Sequence, residues 1–477
     1  MTYDVILLTC LSGKLWQRAI GPYQLASHLR KHNISVQVID FTDHFTEDEL
    51  YLLLEKFVGT NTKIVGVSST FYQEEVTDQL DYKRGNIGRL PAAVRNSIQR
   101  IKDKASHIKL AVGGGNSNNF LNDPLFDIVI HGYAEEVFLE YLTTKNIYPT
   151  IGTTSIINGD DRKFDIENLD HMWAHNDCII PGETLPIEIS RGCIFKCKFC
   201  AYPLNGKNKF DYLRDPKLIA KEIQDNYEKY NVTNYFFADD TFNDSTFKLE
   251  ELHKEITNLP FKINFTTYLR LDLLHSHREQ LPLLKDMGLK SAFFGIESLN
   301  EKTAKFIGKG MNPEKVKEFI TELKTDIWKD DISMLCTFIV GLPFEDIAST
   351  DRSFEWVKSV GINSAWTPLT IGIEDRYKSD IAINYEKYGY TIDDKLRRSW
   401  TNSIMTSDDA KAASNRYNSY ALPNNCFSSW VLFAMLSYQL NTVDELQKTK
   451  FQSVDVTKYT TKHMQMLQQY KQMLNTL

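Results

Sequence analysis

At 477 residues, with 42% apolar and 25% charged residues, the chain is long enough for roughly two to four domains and has the composition of a water-facing globular protein. A net charge of −7 excludes a broad basic footprint for nucleic acid or an anionic membrane, and no apolar run reaches the length of a membrane span, the best being Trp430 to Leu436. The opening Met1-Thr2-Tyr3-Asp4 lacks the basic start of a signal peptide, and seven cysteines, an odd number, suit a reducing compartment, so a cytoplasmic location is expected.

From the N-terminus, Tyr3 to Thr9 reads as a buried strand: a short apolar run that ends in polar residues. A helix is predicted from about Pro22, then a strand over Ser35 to Asp40, a helix over Glu47 to Phe57 and a strand over Lys63 to Ser68. A helix over Pro91 to Lys104 precedes strands over Ile108 to Gly113 and Asp127 to His131. Strands and helices alternating in this way predict a doubly wound, Rossmann-like parallel sheet over residues 1–145. Ligands of such sheets lie beyond the carboxyl ends of the strands. The residues there are Ser68-Ser69-Thr70, Gly113-Gly114-Gly115-Asn116 and Gly132-Tyr133-Ala134-Glu135, glycines and polar groups suited to close approach and hydrogen bonding. Taken alone, the glycine run equally suits a tight turn, and no G-x-G-x-x-G opens the first helix.

Residues 146–183 read as a linker with turn signals at Gly152, Asn158 and Pro181. Leu185 to Ser190 is then a strand that feeds directly into Cys193, Cys197 and Cys200, a C-x3-C-x2-C array. Soft thiolates so spaced suit a zinc ion or an iron–sulfur cluster, or are three buried structural thiols. A structural zinc site wants a fourth Cys or His close by, and none follows before His253. Beyond the array come a helix from Asp215-Pro216 to about Tyr230, strand Asn234 to Ala238, a helix near 246–258 and strand Lys262 to Thr266. A helix over Glu279 to Met287, closed by Gly288, leads to strand Ser291 to Gly295, a helix near 312–325, and strands Ser333 to Val340 and Asn363 to Thr367. Six β/α units over 184–375 predict a partial barrel with its chemistry at the strand carboxyl ends.

From 376 to 477 the pattern is mainly helical, broken at Leu422 to Asn425. Its aromatic residues Tyr388, Tyr390, Trp400, Tyr417, Tyr420, Phe427 and Trp430 read as core packing, with a minority lining a substrate pocket. Cys336 and Cys426 read as small buried hydrophobes.

The cysteine array and four later strand ends, Ala238 to Phe242, Tyr268 to Asp272, Gly295 to Ser298 and Ile339 to Pro343, together resemble the radical S-adenosylmethionine (SAM) superfamily over about 185 to 370. The resemblance implies that Cys193, Cys197 and Cys200 hold a [4Fe–4S] cluster whose fourth iron chelates the amino and carboxylate groups of SAM, with Phe199 beside the adenine. Asp239 or Asp240 would accept from the SAM ammonium, Arg270 would pair with its carboxylate, Glu297 or Ser298 would bond the ribose, and Gly341 would meet the adenine edge. Each is also an ordinary polar or turn residue finishing a strand, and Arg270 and Glu297 equally suit a structural ion pair. The implied chemistry is one-electron cleavage of SAM to methionine and a 5′-deoxyadenosyl radical that abstracts a hydrogen atom, with electrons from a donor such as flavodoxin or ferredoxin.

The N-terminal strand ends, with Gly21 to Arg30, resemble the cobalamin-binding domain that precedes the barrel in class B radical SAM methylases. That implies cobalamin contacts from Ser68, Ser69, Thr70, Gly113, Gly114, Gly115, Asn116, Gly132, Tyr133 and Glu135. The D-x-H-x-x-G loop that supplies a cobalt-ligating histidine elsewhere is absent, and His28 falls inside the first helix as a surface or packing residue. The implied function is cobalamin-dependent methylation of an unactivated centre in a small molecule or peptide. Rearrangement or ring contraction without methyl transfer is the alternative, and a cobalamin- or metal-sensing protein a non-enzymatic one. Only Cys10 lies in the N-terminal region before Cys178, so the second cysteine triad of methylthiotransferases is missing.

Overall fold

The computed structural model describes residues 1–477 apart from 12–15, 73–89, 145, 161–163, 203–211, 330, 395–397, 425–435, 441, 443–444 and 446–455. The chain folds into two compact units: Met1–Asp165 with Leu169–Pro181 and Thr461–Leu477, and Ile166–Asn168 with Gly182–Thr460. Cys426, Phe427 and Trp430, and most of the run Trp430 to Leu436, lie outside the described residues. Among the described residues no helix is long and apolar enough to cross a membrane.

The first unit contains β1 (Val5–Leu8), α1 (Ile20–Lys31), β2 (Val36–Ile39), α2 (Glu47–Phe57), β3 (Ile64–Ser68), α3 (Ala92–Lys104), β4 (Lys109–Gly113), β5 (Ile128–Gly132), α4 (Glu135–Thr143), β6 (Thr150–Ile151) and β7 (Thr154–Gly159). The sheet order is β2-β1-β3-β4-β5-β7-β6, parallel throughout except for the β6–β7 hairpin. Every residue of β1 and β2 is buried, as expected of parallel strands covered on both faces. At the head of α2, Thr46 and Glu49 form a capping box. Helix α1 begins two residues before Pro22, which still falls in the first turn, where no intrahelical donor is required.

The segment expected to be a linker carries two of these strands. β7 runs parallel to β5 from Ser155 opposite Ile128 to Gly159 opposite Gly132. Its apolar signal is confined to Ile156 and Ile157, too little to stand out from sequence. Gly159 is needed because any Cβ there would run into the Tyr133 carbonyl.

Residues 169–181 and the C-terminal seventeen residues close the other end of this sheet. Arg18, 3% exposed, donates to the Tyr23 hydroxyl (2.7 Å) and to the carbonyls of Asp177 (3.1 Å) and Cys178 (2.9 Å). Its guanidinium lies 5.3 Å from the Tyr470 ring centroid, and the Tyr470 hydroxyl accepts from the Asp40 amide at 2.9 Å. The Tyr23 hydroxyl donates to Asp40 at 3.1 Å. Burial pushes the Asp40 carboxyl up to about 7, with Arg18 opposing the shift. His28 lies on α1 against His32 (4.8 Å between rings) and near Glu136 (3.7 Å), a packing position.

The second unit contains β8 (Leu185–Glu188), α5 (Pro216–Tyr230), β9 (Asn234–Ala238), α6 (Thr246–Thr257), β10 (Asn264–Leu269), α7 (Leu271–Ser276), α8 (Gln280–Met287), β11 (Leu289–Glu297), α9 (Glu301–Ile307), α10 (Pro313–Glu322), β12 (Ser333–Val340), α11 (Ile347–Val360) and β13 (Asn363–Pro368). All six strands are parallel and neighbours in chain order, from β8 at one edge to β13 at the other. This is an α/β partial barrel. β10 lies two to three residues later than expected, and α7, α9 and α11 were not anticipated. The first two, at six and seven residues, are too short to display a helical period.

After β13 come α12 (Asp380–Ile383), an antiparallel hairpin of β14 (Thr391–Asp394) and β15 (Ser399–Thr401), and α13 (Ser407–Asn424), which continues through Leu422 and Pro423. Among its described residues the tail is therefore helical with one hairpin. Tyr390, Trp400 and Tyr417 are buried packing residues, Tyr417 stacking on Phe354 at 4.6 Å, and Cys336 is fully buried.

Replacing Arg18 with Met strands the Asp177 and Cys178 carbonyls and removes the positive charge beside the buried Asp40 carboxyl. The expected loss is about 3 kcal/mol. Amides of β1 and β2 should then exchange with deuterium roughly 100-fold faster, while those of β8–β13 keep their rates.

Candidate functional site

The loop that follows β8 is tied down on both flanks. Arg191 grips Glu188 with two bonds (2.8 and 2.7 Å), its amide donates to the Tyr212 carbonyl (2.9 Å), and the Arg214 amide donates to Ile189 (3.1 Å). Further on, the Lys198 amide donates to Ile307 at the end of α9 (3.2 Å), and the Lys198 carbonyl accepts from Ile381 of α12 (3.0 Å). The Lys198 ammonium reaches Asp380 (3.2 Å) and the Tyr388 hydroxyl (3.1 Å). Gly192, at φ +122°, makes the bend before the first cysteine in a conformation that disfavours a side chain.

Cys193, Cys197 and Cys200 all line one cavity of about 190 Å³ at the carboxyl ends of β8 to β11. Among the described residues no three His, Cys, Asp or Glu side chains converge closely enough to hold a single metal ion. Three thiols lining one cavity, with no imidazole among the lining residues, fit a cluster with three cysteine ligands.

The cavity walls mix charge and aromatic surface. Asp240, Arg270 and Glu297, all anticipated, line it together with Phe199. Arg270 is 8% exposed; it forks onto Asp272 (3.0 and 2.6 Å), lies 3.7 Å over the Phe195 ring and approaches the Cys197 sulfur at 3.6 Å. Glu297 adopts a left-handed backbone, φ +68°, uncommon for a residue with a side chain and held here at the end of β11. Burial raises its carboxyl above the ordinary range, against the pull of the Lys309 ammonium 3.6 Å away. The alternative reading, an Arg270–Glu297 ion pair, does not form as such: Asp272 takes the first and Lys309 the second. A group with an ammonium, a carboxylate and a flat aromatic ring, the chemistry of SAM, finds both signs of charge and ring surfaces on these walls.

Three anticipated residues lie off the cavity. Asp239 is buried, and its carboxylate takes the Lys248 ammonium (3.0 Å) and the Thr241 amide (2.9 Å). The Ser298 hydroxyl bonds Glu345 and accepts from the Asn300 amide (3.0 Å); burial pushes the Glu345 carboxyl up to about 8. Gly341, at φ +100°, leaves room for Trp400, whose ring would be 2.6 Å from an added Cβ, and its carbonyl accepts from Tyr390 (2.7 Å). Thr241 and Tyr268 line the cavity from within two of the quoted strand ends, though without an assigned role, and Phe195, Tyr202, Phe293 and Lys309 line it without having been singled out. Their aromatic or basic character is ordinary, and Lys309 arrives from the turn after α9, outside any strand-end motif.

On the first unit, the ends of β3 and β4 are bonded to each other. Ser69 is fully buried, with its amide and hydroxyl both on the Gly113 carbonyl (2.8 and 2.7 Å). The Thr70 hydroxyl accepts from the Gly115 amide (3.0 Å), and Asn116 donates to the carbonyls of Ser69 and Thr70 (3.1 and 3.0 Å). Gly114 has φ +91°, and a Cβ there would lie 2.5 Å from the Thr70 hydroxyl. Gly132 at φ +70° passes close to Asp160, and Glu135 is buried at the start of α4. Ser68, Thr70, Asn116 and Tyr133 are half-buried, while Gly114, Gly115 and Gly132 are exposed. The edge is thus an open shelf of backbone and small polar groups, which fits a flat cofactor lying on it, with Ser69 and Glu135 set behind the surface.

Residues 187–357 match the model of the radical SAM superfamily. Over 370 residues the chain is 22% identical to an uncharacterized methyltransferase of Pyrococcus horikoshii, covering 72% of this chain and 74% of that protein. Its fold is similar to that of TsrM, a radical S-adenosylmethionine methyltransferase from Kitasatospora setae solved with cobalamin and a [4Fe–4S] cluster bound (TM-score 0.59, 14% identity, 81% of this chain and 75% of that one). It is also similar to OxsB, a cobalamin-dependent S-adenosylmethionine radical enzyme solved with aqua-cobalamin (TM-score 0.60, 14% identity, 97% and 72%).

Substituting Ala for Cys197 should abolish the broad visible absorption that the wild-type chain acquires on anaerobic reconstitution with iron and sulfide, since two thiolates do not retain the cluster. Equal absorption in both proteins would exclude this array as the ligand set.

Proposed function

We propose that this radical SAM enzyme, related to the cobalamin-dependent methylases TsrM and OxsB, methylates an unactivated carbon or a phosphinate-like phosphorus of a small molecule or peptide. The observation that carries the reading is the single cavity in which three cysteines of the β8 loop meet Asp240, Arg270, Glu297 and Lys309 from later strand ends and turns. A [4Fe–4S] cluster on the three thiolates supplies, when bound with SAM, the electron that cleaves SAM and generates the hydrogen-abstracting radical. Cobalamin on the carboxyl edge of the first unit would supply the methyl group.

The chain's own residues bind and orient. The ammonium of Lys309 and the guanidinium of Arg270 offer charge for a carboxylate, and Asp240 and Glu297 offer acceptors for an ammonium or hydroxyls. Arg270 already spends two donors on Asp272, which holds its plane over Phe195. Lys309 donates to the Gly295 carbonyl (2.7 Å), so its ammonium is aimed at the cavity before any ligand arrives. Tyr202, Tyr268 and Phe293 form walls that limit water around a reactive species. A small-molecule or peptide substrate and a one-electron donor protein complete the reaction.

In anaerobic protein loaded with iron, sulfide and hydroxocobalamin, SAM and a reductant should yield methylcobalamin with S-adenosylhomocysteine, and also 5′-deoxyadenosine. Release of 5′-deoxyadenosine alone, with cobalamin bound but never methylated, would replace methylation by a rearrangement reaction. Lys309→Met should weaken SAM binding roughly 10- to 100-fold, the worth of a bond to a charged group, with cluster content unchanged.

A further inference from the structure

One buried ionic group of the second unit lies behind the cavity, not in it. Lys248, on α6, is 3% exposed and pairs with Asp239 (3.0 Å) and Asp244 (2.6 Å). Its ammonium also donates to the Thr241 carbonyl (3.1 Å), and the Tyr212 hydroxyl donates to Asp244 (2.8 Å). The Thr241 amide donates to the other oxygen of Asp239 (2.9 Å). Thr241 is therefore fixed at both its amide and its carbonyl by one carboxylate–ammonium pair. Burying two carboxylates and an ammonium gains little net stability over apolar packing, but it imposes one geometry on whatever the group holds.

What it holds is the Thr241 hydroxyl, 3.3 Å from the Cys193 sulfur, which also faces the Phe195 amide at 3.4 Å. The same hydroxyl lies 2.7 Å from the Asp240 carbonyl. A ligating cysteine is a thiolate and carries no proton, so toward Cys193 the hydroxyl can only donate. The anionic sulfur is a stronger acceptor than the neutral carbonyl of the preceding residue.

We infer that Thr241 donates a hydrogen bond to the Cys193 thiolate and thereby raises the reduction potential of the bound cluster, and that Lys248, with Asp239 and Asp244, is the positioning group that keeps the hydroxyl there. A donor on a ligand sulfur withdraws electron density and stabilises the reduced, more negative cluster over the oxidised one. This rests on the cluster assignment proposed above. It assigns Asp239, an expected SAM contact, to the cluster's surroundings.

The test is a redox titration of full-length, anaerobically reconstituted protein without SAM, following the cluster by visible absorption and electron paramagnetic resonance. Thr241→Val, which keeps the shape and removes the hydroxyl, should load the same iron and shift the midpoint potential to a more negative value. Thr241→Ser should titrate with the wild type. Lys248→Met should reproduce the shift of Thr241→Val if it folds and loads. Should Lys248→Met not fold, the Val and Ser variants still decide the hydrogen bond, and Lys248→Arg, titrating with the wild type, would support the positioning role. A loaded Thr241→Val with the wild-type potential overturns the inference while leaving the cluster assignment standing. A loaded Lys248→Met at the wild-type potential, beside a shifted Thr241→Val, overturns the positioning half. Wild-type protein that binds no cluster overturns both the assignment and the inference.

Discussion

Three thiols can serve as a ligand set only if a flexible loop is prevented from scattering them, and that restraint governs the second unit. The Cys193–Cys200 loop is bonded by its backbone to α9 and α12 and braced at its start by Arg191 on Glu188. Lys198, between Cys197 and Cys200, adds an ion pair to Asp380 of the tail. Ordering the eight residues of this loop costs backbone entropy, roughly 1–2 kcal/mol each, which these bonds to neighbouring helices offset.

The polar groups at the barrel mouth divide into two layers. Asp240, Arg270, Glu297 and Lys309 line the cavity, while Asp239, Lys248, Asp244, Ser298 and Glu345 lie behind it, bonded to backbone and to one another. The rear layer fixes the turns from which the front layer projects. Two of its members, Asp239 and Ser298, look like ligand residues in sequence because both layers demand the same polar residue types.

Much of the fold was legible. Parallel strands buried on both faces read as continuous apolar runs, and β1 to β5 and β8, β9, β12 and β13 appear within a few residues of their expected places. The cysteine array was legible because its chemistry is carried by local spacing. β6 and β7 were not, since β7 gains its place from pairing with β5, a contact that leaves little trace in six residues of mixed polarity. The glycines at the β4 and β5 ends read equally as close approaches to a ligand or as tight turns. At Gly114 and Gly132 the approaching groups are Thr70 and Asp160 of the protein itself.

The sequence by itself determined the two parallel sheets, the three cysteines at the end of β8 and the set of strand ends around them, because apolar runs and short spacings are local properties. Tertiary structure alone decided which residue of each pair faces the cavity. Asp239 and Asp240 are neighbours where a strand becomes a loop, and there the alternation that phases side chains within a strand no longer holds. It also decided that Trp400 covers Gly341 and that Lys309 comes in from a helix end, because both positions depend on segments distant along the chain that only folding brings together.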